Sequence, residues 1–184
     1  MIGVRCLLAF GLATGLLCGV AVASEQAAMQ ATRPVVKAAF LLNFVKFTEW
    51  PALPDKAPLS VCVAGDDEVA GALAATLDRQ VVAGHPLTLR RLSAREGWQS
   101  CQLLFVGEGE FRGWSGELEA IEKLPVLTVS DAAGFARGSG IIELFIQDNR
   151  MRFAINVGAA ERAGLRLSSR LLKLAQVVED GRAQ

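Results

Sequence analysis

Polar side chains are scarce between residues 36 and 51, which read Val-Lys-Ala-Ala-Phe-Leu-Leu-Asn-Phe-Val-Lys-Phe-Thr-Glu-Trp-Pro. Lys37, Asn43, Lys46 and Glu49 are the only strongly polar positions before Trp50 and Pro51. The spacing predicts a helix apolar nearly all round and stopped by the proline. At about 15 residues it is too short for a bilayer, which takes roughly 20. Such a helix is expected to be buried in its own domain or to offer a greasy flank to a partner. The proline-rich stretch 51–58 then reads as turn, and the valine-rich alternation at 59–65 as a strand. Acid at Asp66, Asp67 and Glu68 suits a helix start, and helical spacing continues to 77.

Val81-Val82 leads through Ala-Gly-His-Pro to a second strand at 87–92, and the unbroken apolar run 101–107 fits a strand covered on both faces. A helix at 116–124 is closed by Pro125, and a short strand follows at 126–130. The runs 141–146 and 150–155 flank Gln147-Asp148-Asn149, a hairpin signal. Two helices are expected after it, at 157–163 and 168–179, separated by Gly164. In the second, Leu171, Leu174, Val177 and Val178 fall on one apolar face. The strand–helix–strand alternation predicts an α/β fold: a three-layer α/β/α sandwich, Rossmann-like, with a mainly parallel sheet and a late antiparallel hairpin.

The chain's first 23 residues change the compartment. Arg5 precedes an apolar run from 6 to 20, and Ala21-Val22-Ala23 is a small-x-small cleavage pattern, so 1–23 is expected to be a signal peptide removed before Ser24. Leu17 before Cys18 does not suit lipidation. A flexible segment 24–34 and a single domain 35–180 would remain, in the periplasm and not embedded in membrane. Of four cysteines, Cys62 and Cys101 survive cleavage, and an even pair in an exported chain argues for a disulfide. With 19 basic and 19 acidic side chains, nothing electrostatic favours nucleic acid as a partner.

Catalytic equipment is not visible. Gly107-Glu-Gly-Glu-Phe-Arg-Gly113 follows a strand, but its third glycine comes one residue late for a dinucleotide fingerprint and its glutamates would repel phosphate. His85 is the single histidine, set in an Ala-Gly-His-Pro turn, and Ser115 lacks the nucleophile-elbow pattern. No metal, cofactor or reaction centre is expected. The block 152–174 instead places Arg152, Arg166 and Arg170 near a helix start capped by Ser168 or Ser169. Arg166, Ser168 and Arg170 could hold a small anionic ligand, and Arg152, Arg166 and Arg170 with Phe47 and Trp50 are the expected contacts to a partner protein.

The motif Lys37-Ala-Ala-Phe-x-x-Asn-Phe-x-Lys-Phe-x-x-Trp-Pro51, combined with Arg152-Phe-x-Ile-Asn and Ala163-Gly-Leu-x-Leu-Ser-Ser-x-Leu-Leu-x-Leu-Ala175, resembles the YfiR/HmsC-like periplasmic proteins. The resemblance covers essentially the whole chain after the leader. It implies an α/β/α sandwich and a non-enzymatic regulator that binds, and represses, the periplasmic sensor domain of an inner-membrane diguanylate cyclase. A small-molecule-binding protein reporting its ligand to a sensor kinase or cyclase is the alternative. A homodimer stays open as a further assembly. The resemblance also implies that Cys62 and Cys101 are bridged, and that a second bridge of the family, in the region of the late hairpin, is missing here because the cysteines are.

Overall fold

A computed structural model describes residues 33–77, 80–93, 96–138, 140–179 and 181. The expected leader and the segment that follows it, up to residue 32, lie outside those residues. Helix α1 spans 33–46, so residues 33 and 34 belong to it and not to the flexible segment. It ends before Trp50, because the chain turns at Phe47 and enters a two-residue strand, β1 (Thr48–Glu49). Its exposed stripe is narrow: Val36, Ala39, Asn43 and Lys46 recur at the three- and four-residue spacing of one helix face. Ala38, Leu41, Leu42, Phe44 and Val45 are buried on the other side.

The central sheet is then laid down strand by strand. β2 (Leu59–Ala64), β4 (His85–Leu92), β5 (Leu103–Val106), β6 (Leu127–Ser130) and β7 (Ile142–Gln147) run parallel in the order β4-β2-β5-β6-β7. That is the doubly wound 2-1-3-4-5 order, with its reversal between β2 and β5. A short strand β3 (Val81–Val82) pairs antiparallel to β4 at one edge, through a tight turn in which Ala83 and Gly84 both have positive φ. The expected hairpin forms between β7 and β8 (Arg150–Asn156), with Asp148 and Asn149 at φ 49° and 58°, the geometry a two-residue turn of this hand requires. The three-layer sandwich is therefore as expected.

One face of the sheet carries α1, α2 (Asp67–Leu77), α4 (Val157–Arg162) and α5 (Ser169–Leu172), whose apolar residues join Val61, Val63, Phe105, Val129, Leu144, Phe153 and Ile155 in one core. The opposite face carries α3 (Ser115–Ile121), with Leu118 and Ile121 over Leu104 and Val106. This helix stops at Ile121, short of the expected 124. The second layer is thin over β2 and β4. Between β4 and β5 the described residues hold a single three-residue turn, Trp98–Ser100, in place of a crossover helix. Trp98, the Arg90 guanidinium bonded to the Gly97 carbonyl and to Ser100, and the Cys62–Cys101 disulfide hold that crossover down.

The C-terminal helix is the largest departure from expectation. It starts as read, with the Ser168 hydroxyl accepting from the Leu171 amide, but lasts only to Leu172. Residues 176–178 form β10 (Gln176–Val178), which pairs parallel to β8 and becomes the edge of the eight-stranded sheet. The backbone groups of β8 need partners on that side, and two adjacent valines suit a strand better than a last helical turn. The supposed apolar face is thereby split: Leu171 and Val178 are buried, while Leu174 and Val177 are 72% and 56% exposed.

Both cysteines are buried, and the bridge clamps the thinnest part of the second layer. Its sequence separation is 39, and closing a loop of that size stabilises by about 3–4 kcal/mol on the chain-entropy view. Cys62→Ser is expected to lower the melting temperature by about 10 °C, read by circular dichroism against the oxidised wild type.

Candidate functional site

Both unusual blocks of the sequence meet in a small ribbon outside the main sheet. β1 pairs antiparallel with β9 (Arg166–Leu167), setting Thr48 opposite Leu167 and Glu49 opposite Arg166. The Ser168 amide donates to the Phe47 carbonyl at 2.9 Å and extends the pairing. α1 delivers β1 to this place, and the turn after α4 delivers β9. There Gly164, at φ 70°, ends the helix in the left-handed conformation that favours glycine.

Of the expected contact residues, the ribbon unites Phe47, Trp50, Arg166, Ser168 and Arg170. Arg166 and Arg170 are exposed, Phe47 is half-buried, and Trp50 is only 9% exposed, so its ring belongs to the core. Arg152 is elsewhere. It precedes Phe153 on β8, and adjacent strand residues point to opposite faces. Phe153 packs on Phe40 and Phe44 of α1, which leaves Arg152 on the far face, opposite Phe145.

Two polar atoms of the ribbon have no hydrogen-bond partner among the described residues although they are buried: the Thr48 hydroxyl and the Trp50 indole nitrogen. Buried polar groups are nearly always paired, so two orphans within three residues mark an unusual segment. The small-anion reading fares less well, since the Ser168 hydroxyl already caps Leu171 and α5 is a single turn with little dipole behind it.

A second arrangement, not anticipated from sequence, lies where the parallel strands end. The Lys37 ammonium sits 2.6 Å from Asp131, just after β6, and 3.1 Å from Asp66, two residues after β2. Each carboxylate uses its other oxygen structurally: Asp66 accepts from the Val69 amide and caps α2, while Asp131 accepts from the Glu108 amide in the loop after β5. Lys37 was visible as one of few polar positions in an apolar helix; its partners, far apart in sequence, were not. His85 Nδ1 donates to the Ala57 carbonyl, 2.8 Å away, and the Ser115 hydroxyl donates to the Arg112 carbonyl. Among the described residues no group of three or more His, Cys, Asp or Glu could hold a metal ion, and no helix is long and apolar enough to cross a membrane.

A family model described as YfiR/HmsC-like matches residues 34–176, from α1 to the start of β10. The chain belongs to the YfiR/HmsC-like family. Comparison with curated proteins finds no match. The family match spans both strands of the ribbon and the Lys37 triad, so neither is an appendage to the YfiR/HmsC-like domain.

Burial by itself would lower the Lys37 pKa, but the hydrogen bond and charge of Asp131, then those of Asp66, more than offset it and hold it above the ordinary 10.5. A cation whose pKa rises on folding contributes stability that is complete below its unfolded pKa and is lost as pH climbs through the folded value. The stability advantage of the wild type over Lys37→Met is therefore expected to stay constant up to about pH 10 and to shrink above it, in urea titrations at stepped pH.

Proposed function

We propose that this protein is a non-enzymatic periplasmic regulator that binds and represses the periplasmic sensor domain of an inner-membrane signalling protein, foremost a diguanylate cyclase. Its output would be cyclic di-GMP synthesis and, through it, biofilm control. Family membership and the leader-like first 23 residues support the compartment and the class of activity. The β1–β9 ribbon is the contact surface.

One observation carries this choice of surface: the ribbon gathers Phe47, Glu49, Arg166 and Arg170 from both ends of the chain while leaving Thr48 and Trp50 with unmet hydrogen-bonding capacity. A partner that presented a carboxylate beside the ribbon would pair with the arginines. Trp50 then acts from beneath, by holding β1, and the exposed side chains make the contact.

Arg166→Glu reverses a charge on an exposed edge and leaves the core untouched. It is expected to weaken capture of the sensor from solubilised inner membranes about tenfold or more, with an unchanged melting curve. Arg152→Glu, on the far face, is expected to leave capture unaltered. Equal loss in both variants, or in neither, would move the contact away from the ribbon.

A further inference from the structure

The β7–β8 hairpin outruns the sheet that carries it. On one side β6 pairs with β7 only as far as Glu143, and on the other β10 begins opposite Ala154. Residues 144–147 and 150–153 therefore form a two-stranded arm. The phase of its ladder is fixed by the Asn156 amide, which donates to the Ile141 carbonyl at 2.9 Å. Hydrogen-bonded and unbonded pairs alternate along an antiparallel ladder. Met151 and Phe153 accordingly turn their backbone groups away from β7, toward the edge where β10 stops.

A chain continued straight back from β10 would close that edge at Leu174. It is diverted instead, because the Leu174 and Ala175 amides donate to the Leu171 and Leu172 carbonyls and complete the turn after α5. The register of β10 satisfies the Phe153 carbonyl through Gln176. The Phe153 N–H and both backbone groups of Met151 are left without a partner among the described residues. An open strand edge of this kind is a template for another strand. Its two faces differ in chemistry. Met151 and Ile146 share the face bearing α1, where Ile146 is 46% exposed. On the other face Arg150 and Arg152 stand about 7 Å apart along the strand. Both are exposed, and neither forms a salt bridge to a described residue.

We infer that this edge takes up an extended segment of a partner protein, one that alternates acidic and apolar residues and pairs with β8 end-on to β10. Its backbone meets Met151 and Phe153, which gives affinity without regard to sequence. Side chains of a strand alternate between faces, so its apolar residues fall beside Met151 and its carboxylates beside Arg150 and Arg152. A second copy of this chain suits the edge poorly, since two β8 edges paired about a twofold axis would set arginine against arginine. The edge shares no residue with the β1–β9 ribbon, so it stands or falls independently of the sensor-binding surface.

Amide hydrogen exchange of the disulfide-intact protein at low salt, with and without a blocked six-residue peptide alternating glutamate and valine, tests this. Saturable slowing is expected at the Met151 and Phe153 amides, and none with the lysine–valine counterpart, which has the same apolar face and the opposite charge. The double variant Arg150→Gln, Arg152→Gln is expected to weaken the glutamate peptide about fivefold, the size of two exposed charge pairs, while leaving the melting curve intact. Absence of saturable slowing up to ~2 mM peptide, equal response to the two peptides, or an unchanged affinity in the double variant would each overturn the assignment. So would slowing at the same two amides that grows with protein concentration in the absence of peptide, which would give the edge to a second copy.

Discussion

The packing of α1 on the sheet is the contact from which the rest of the architecture follows. Phe40 and Phe44 lie edge-on to Phe153, with ring centroids 5.7 and 5.1 Å away, so the N-terminal and C-terminal blocks share one aromatic cluster. Each fully buried side chain of this kind stabilises by about 1.5–3 kcal/mol, and α1 contributes Leu41, Phe44 and Val45 at 0–1% exposure. Against that, the Lys37 triad adds a part-buried ion pair whose desolvation cancels much of its attraction. The helix is therefore placed by its apolar face, and the triad ties it to three strand-end loops. With α1 seated, its last turn carries β1 to β9.

The two faces of the sheet are unequal, and that inequality organises the molecule's chemistry. Four helices cover one face. The other has α3, the turn Trp98–Ser100 and the loop around Phe135, whose ring packs so tightly on Gly140 that a Cβ there would collide with it. The Cys62–Cys101 bridge takes over part of the work a crossover helix would do, fastening the β4–β5 connection to the strand beneath it.

Much of the fold was legible from local patterns. The valine-rich alternation of β2 announced a strand, the apolar run of β5 announced one covered on both faces, and Asp148-Asn149 announced the hairpin turn. Each is a signal contained within a few neighbouring residues. The final helix misled because Leu171, Leu174, Val177 and Val178 satisfy helical spacing equally well, and only the unpaired edge of β8 decides that residues 176–178 extend the sheet. Arg152 misled for a related reason: it is near Arg166 in sequence, but strand alternation turns it to the opposite face.

Sequence alone determined most of the elements, the layered class, the pairing of the two cysteines and the kinship, because these rest on periodicity, turn chemistry, residue count and motif. Tertiary structure alone decided which distant residues meet: Lys37 with Asp66 and Asp131, Glu49 with Arg166, Gly65 with Glu110. Those encounters depend on strand order and on which face each side chain leaves. Neither is encoded in any short stretch of the chain, because both are settled by the burial of the whole sheet at once.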